Sequence, residues 1–318
     1  LPLGSYFERA FASVQAEACD VRDNVRLGVL IGDAGTTAVL RDCWIRDTQA
    51  GPDAQGGYGI QVEEGASLLV DGGEISGNTE LGVLAVASGT DVTLRDCWVR
   101  DTLPEVTGRK GVGVEAQLGA ALTAEGVVVG ENWATGVLAA DPGTEMALWG
   151  CTVQDTSPDS LGNTGYGVMV RDGATIYAQG CELISNSGVG FAAYGSDALA
   201  VLRDSVISGT MAGTGKKGTV GSGVIAQLGA QVLAEGLIVR DSDGPGLYTG
   251  VQGALLSCTG CSLLDNRFAG AVIKYQGELV IRSSVISGTR ESANLGGGVG
   301  VYAERPADFE AVQLTVVD

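Results

Sequence analysis

The sequence predicts an all-β fold, a parallel β-solenoid of about twelve coils with three short strands per coil. Three observations predict it. A six-residue motif recurs at a period of about 54 residues, with half-period copies between its occurrences. Glycine supplies 51 of 318 residues and proline only 7, without a Gly-X-Y triplet, so the glycines mark corners and not a collagen helix. The chain is 45% hydrophobic and 18% charged, a balance that separates it from disordered sequence.

The motif Leu40-Arg41-Asp42-Cys43-Trp44-Ile45 returns as Leu94-Arg95-Asp96-Cys97-Trp98-Val99, then more weakly at Leu148 to Val153 and Leu202 to Ile207. Half-period copies run from Val70 to Ile75, Thr123 to Val128, Ala178 to Leu183 and Leu233 to Ile238. Later copies lie at Cys258 to Leu263, Ile281 to Ile286 and Phe309 to Leu314. One residue of each copy serves as a marker: Ala18, Cys43, Gly73, Cys97, Gly126, Cys151, Cys181, Ser205, Gly236, Cys261, Ser284 and Val312. These read as a column for small side chains, with short and long coils alternating until near the end. A second strand follows each marker stretch, as in Gly59-Ile60-Gln61-Val62 and Gly136-Val137-Leu138-Ala139. A third begins after a glycine, as in Gly65 to Val70 and Gly173 to Tyr177. Period-two alternation between Gly, Asp and Asn corners is the pattern of short strands.

Five or six residues after each marker stand Asn24, Thr48, Asn78, Thr102, Asn132, Thr156, Asn186, Thr210, Ser242, Asn266 and Thr289. Side chains that both donate and accept, stacked at one corner, are expected to form a structural polar ladder that satisfies turn backbone. The extra residues of the long coils fall at Gln49 to Gly57, Leu103 to Lys110, Ser157 to Gly165, Met211 to Gly221 and Arg290 to Gly297. These loops are expected to line one side of the rod. The whole of 1–318 reads as a single domain. Leu1 to Phe11 reads as half a coil and the chain stops just after a marker stretch, so a segment of a longer chain is expected. Open strand edges at both ends predict end-to-end association with another solenoid or with a flanking domain.

Lysine and arginine number 19 against 38 acidic residues, a net charge of -19, which opposes nucleic-acid and anionic-membrane partners. No apolar run approaches the roughly 18 residues of a bilayer span. Histidine is absent, which excludes Ser-His-Asp and Cys-His nucleophile systems and every histidine metal site. The 7 cysteines are an odd number, so at least one has no intrachain partner. Cys258-Thr259-Gly260-Cys261 is a CxxC without a second pair, which carries neither a zinc nor a redox assignment. Cys151 and Cys181 are expected in adjacent coils, free and buried.

On these motifs the chain resembles the right-handed parallel β-helix repeats of the pectin-lyase-like superfamily, found in many secreted bacterial proteins. The resemblance covers nearly the entire sequence. It implies an extracellular or cell-surface location on the bacterial outer surface, and it implies no single chemistry, because that fold hosts lyases, hydrolases, tailspikes and adhesins. The expected role is a non-enzymatic module with a structural, adhesive or glycan-binding function, its partner a polysaccharide or another surface protein. The alternative is a polysaccharide lyase or glycoside hydrolase acting in a side groove.

Alternation sends Trp44, Arg46, Trp98 and Arg100 to solvent, beside Asp47 and Asp101. An exposed indole flanked by guanidinium and carboxylate groups is sugar-binding chemistry, a flat apolar face with forked hydrogen-bonding groups. A solvated strand face covered by Trp and Arg stems is the plainer alternative. No catalytic residue is assigned. The Gly-His-Gly motif of polygalacturonase-like relatives is absent with histidine, and no Arg-x-Lys accompanies it. No cofactor is expected, calcium being the one ion the resemblance allows, since lyase-like members set an arginine or lysine base beside an acidic calcium site. Arg41, Asp42, Arg95 and Asp96 are the residues that would approximate it.

Overall fold

The computed structural model of the protein describes residues 12–162, 165–213, 221–251, 253–292, 296–304 and 307–317. Every regular element among them is a strand. Each coil lays strands on three faces in turn. In one coil Asp91–Arg95 lies on the first face, Trp98–Arg100 on the second and Val112–Gln117 on the third; the next coil repeats this with Ala121–Glu125, Val128–Gly130 and Thr135–Ala140. The first two faces form a 22-stranded sheet and the third an 11-stranded one. Neighbouring coils pair in parallel, with Leu94 opposite Ala124 and Val114 opposite Val137. A short antiparallel pair, Glu291–Ser292 with Gly296–Gly297, departs from this pattern. The reading of Leu1 to Phe11 as half a coil falls outside the described residues, as do positions 163–164, 214–220 and 293–295 of the long loops.

Single residues in the left-handed region turn the corners. Between the first and second faces the turn is made by Asp42 (φ 48°), Asp96 (φ 48°) or Asp204 (φ 47°) in some coils and by Gly126 (φ 62°) or Gly236 (φ 62°) in others. Aspartate tolerates this conformation better than most residues because its short polar side chain bonds locally. A second such corner holds Asp47, Asp101 and Asp155, at φ 58°, 54° and 53°.

The register corrects the marker column. Asp20 opposes Trp44, Val128 opposes Trp98, Ile238 opposes Val206 and Thr315 opposes Val285. The inward residues one place earlier are therefore Cys19, Val127, Leu237 and Leu314, and not Ala18, Gly126, Gly236 and Val312. Gly126 and Gly236 are corner residues, and their small size imitates the small markers of other coils. Val127 and Leu237 are fully buried, so this column is not restricted to small side chains. Cys19 and Cys43 are stacked in it and joined by a disulfide, with Cα atoms 4.6 Å apart. A second disulfide links Cys258 to Cys261, while Cys97, Cys151 and Cys181 are free and buried.

The polar column works in pairs of coils. Asn132 Oδ1 accepts from the Thr102 amide at 3.0 Å and its Nδ2 donates to the Val99 carbonyl at 3.1 Å. Asn78, Asn186 and Asn266 make the same two bonds to Thr48 and Ile45, Thr156 and Val153, and Ser242 and Val239. The hydroxyls of Thr48, Thr102, Thr156, Thr210 and Ser242 are buried without a hydrogen-bond partner. Asparagine therefore makes four such links, none of them to Thr210, which is followed by Ser242, and threonine fills space. Asn24 and Thr289, near the ends, are only half-buried. Every strand stack of the third face carries a glycine against this column: a Cβ on Gly113 would stand 2.7 Å from the Gly136 oxygen and 2.8 Å from Asn132 Nδ2.

Candidate functional site

Trp44 and Trp98 stand in one outward column of the second face with Glu74 between them, since Trp44 opposes Glu74 and Glu74 opposes Trp98. The alternation that buries Ile45 and Val99 leaves Trp44 44% and Trp98 49% exposed. Arg46 and Arg100 form the adjacent outward column. Arg46 grips Asp20 with both arms of its fork, Nε to Oδ1 at 3.1 Å and Nη2 to Oδ2 at 2.8 Å. Arg100 Nε donates to Glu74 Oε1 at 3.1 Å, and Arg100 also lies 3.4 Å from Asp101. The hydrogen bond to Arg46 holds the Asp20 carboxyl below its ordinary range, and the same bond raises the guanidinium. The row therefore runs Asp20, Trp44, Glu74, Trp98, carboxylate and indole by turns. Asp47 and Asp101 sit at the corner, flanking this row and not within it.

The two carboxylates within the row, Asp20 and Glu74, are not apparent from the local motif. Each lies 26 residues before its arginine, so only the coil register brings them together.

Asp42 and Asp96 lay their carboxylates over Gly72 and Gly126 of the following coils. They do not converge. Among the described residues no three acidic or cysteine side chains gather into a metal-holding group. These residues do not fit a lyase-type calcium site. Arg95 Nε donates to Glu125 Oε2 at 2.9 Å, and that bond raises its pKa, the wrong direction for a catalytic base.

A second feature lies on the first face. An open groove of about 500 Å³ is lined by Tyr177, Val201, Arg203, Leu233, Glu235, Ser257 and Thr259, with Trp149 beside Tyr177 near one end. Its floor is one outward column, Tyr177, Val201, Leu233 and Ser257; its rail is the next, Arg203, Glu235 and Thr259. Arg203 and Glu235 stand 3.7 Å apart. Sequence reasoning misses this groove because its residues come from different coils and are unlike one another, although Arg203 repeats Arg41 and Arg95.

The outer side of the third face carries a polar group in apolar surroundings. Glu115 lies between Leu84 and Leu138 and is 8% exposed, and this burial raises its pKa against the opposing pull of Lys110. Lys110 and the Tyr58 hydroxyl both donate to Glu80 Oε1. The long loops meet each other on this side: the Ser160 amide and hydroxyl both donate to the Gly108 carbonyl at 2.9 Å.

The stacked parallel faces, one-residue corners and paired asparagines define a β-helix. The family model for the right-handed β-helix region matches residues 12–153 and 150–311, and the chain belongs to that family. Among solved structures it is similar to pectate lyase Pel9A, at 14% identity and a TM-score of 0.50, covering 87% of this chain and 70% of that one. It is similar also to ORF18 of Geobacillus virus E2, at 10% identity and a TM-score of 0.39, covering 89% and 54%. A third is the catalytic unit of the GH87 α-1,3-glucanase of Streptomyces thermodiastaticus strain HF3-3, at 12% identity and a TM-score of 0.36, covering 93% and 63%. No curated protein matches the chain. At these identities the likeness concerns the fold alone.

Proposed function

We propose that the chain is a non-enzymatic β-helix module of the cell exterior whose second face holds a polysaccharide. The observation that carries this reading is the alternating row of Asp20, Trp44, Glu74 and Trp98, with Arg46 and Arg100 locked onto its carboxylates. Exposed indoles supply apolar faces for sugar rings, and fixed ion pairs supply hydrogen-bonding groups that need no ordering on binding. Two disulfides suit an oxidising compartment. Structural and adhesive roles follow from gripping a surface polymer along a rigid rod.

The lyase or hydrolase alternative draws on the first-face groove. Its acid, Glu235, has a side chain 69% exposed beside Arg203, whereas a general acid working at neutral pH requires a desolvated carboxyl. The test is incubation with polygalacturonate, alginate and neutral glycans, with and without calcium, followed by assays for unsaturated products and new reducing ends. We expect retention of a glycan without cleavage. Turnover that disappears in Glu235→Gln or Arg95→Ala would establish the alternative.

A further inference from the structure

The charges of the tryptophan row cancel within the protein. Asp20 is taken by Arg46, with Arg22 also 3.6 Å away, and Glu74 by Arg100, so neither Arg46 nor Arg100 is left over for a carboxylate on a ligand. The field of the whole chain, at a net charge of -19, repels polyanions. Polar groups that are already paired still offer lone pairs and N–H directions to hydroxyls, which are the groups a neutral sugar presents.

The spacing restricts the linkage. Successive members of the column are one coil apart, about 4.8 Å, and the two indoles about 9.6 Å apart. Each pyranose of an extended 1,4-linked chain advances it by close to one coil spacing. A ring stacked on Trp44 therefore places the next ring over Glu74 and Arg100 and the third on Trp98. A 1,3-linked glucan curls and loses this register after one step.

Resting on the glycan-binding reading above, we infer that the ligand is a neutral, extended 1,4-linked polysaccharide lying along the rod axis, one sugar per coil across Trp44, Glu74 and Trp98. The experiment is affinity electrophoresis of the intact chain in gels containing hydroxyethylcellulose, galactomannan, a 1,3-glucan or polygalacturonate, each at low and high salt. The expected result is retardation by the first two, unchanged by salt because no net charge is neutralised. Trp44→Ala and Trp98→Ala should each weaken it about tenfold. Both side chains are exposed, so circular dichroism and melting should match the parent and exclude misfolding as the cause. Stronger, salt-sensitive retardation by polygalacturonate would overturn the neutral ligand while leaving glycan binding intact. Equal retardation by the 1,3-glucan would overturn the one-sugar-per-coil register, as would full affinity in both alanine variants. No retardation by any glycan would overturn the inference together with the reading beneath it.

Discussion

Replacing Asn132 by alanine tests whether asparagine, and not the polar column as a whole, holds the coils together. Asn132 is fully buried. Its loss strands the Thr102 amide and takes one bond from the Val99 carbonyl, the two bonds measuring 3.0 and 3.1 Å. A buried polar group left unpaired costs roughly 1–3 kcal/mol, so the amide together with the lost carbonyl bond predicts about 3 kcal/mol. The converse substitution is Thr102→Val, which removes a buried hydroxyl without a partner and keeps the shape; it should be neutral or stabilising by about 1 kcal/mol. A solenoid opens locally and not in a single step, so the readout is amide hydrogen exchange in peptides covering 99–102 and 126–135, supported by melting curves. A loss of 3 kcal/mol corresponds to exchange about 150-fold faster in these peptides, with distant coils unchanged. Acceleration below about threefold in Asn132→Ala, or equal damage from Thr102→Val, would refute the pairing argument.

Three further outcomes follow from the geometry. Burial gives Glu115 a folded pKa above its unfolded value of about 4.3, so the native state binds the extra proton and stability falls as pH rises through that interval. Urea unfolding from about pH 5 to about pH 8 should show a smaller loss in Glu115→Gln than in the parent, and an unchanged slope would show that Glu115 does not titrate as described. Cys97, Cys151 and Cys181 are buried thiols, and burial pushes Cys97 up to about 12. Iodoacetamide should therefore leave the native chain unmodified and add three groups once it is unfolded without reductant, whereas five would show that one disulfide is open. Gly150→Ala meets no atom within 4 Å and bears only the left-handed penalty of about 1 kcal/mol, whereas a Cβ at Gly136 would stand 2.7 Å from the Gly167 oxygen, costing about 3 kcal/mol. Melting temperatures in the reverse order would contradict the packing of the glycine column.

The coil pattern was legible in the sequence because inward residues and corners repeat, and repeats are what a stacked column demands. Its exact register was not. Aspartate and glycine both adopt the left-handed corner, so Gly126 and Gly236 passed for inward residues although each stands one place before Val127 and Leu237. The same slip at Ala18 hid Cys19 from Cys43, and with it a disulfide that only the strand pairing brings into contact. Glu115 looks like any polar residue of an alternating strand. Its burial depends on Leu84 below and Leu138 above, which belong to other coils.

The outward columns separate what the fold requires from what it merely permits. The inward position beside each tryptophan continues without interruption as Ile45, Val99, Val153 and Ile207, all fully buried or nearly so. The outward position that holds Trp44 and Trp98 passes, two coils at a time, to Thr152 and then Val206. The same backbone in the same register therefore accepts threonine and valine, and nothing in the packing asks for an indole. Nor do the ion pairs follow the fold: Arg46 and Arg100 give way to Gln154 and Ser208 in the adjoining column. On the second face the tryptophans, with the arginines that pair to the carboxylates of their row, thus belong to the coils around Asp20 to Arg100, where the fold alone does not require them, and only Arg240 renews the arginine column further along. Under the proposed function the side chains of that row are the ones that the glycan touches, and their freedom from packing is what lets Trp44→Ala and Trp98→Ala report on binding without disturbing the fold.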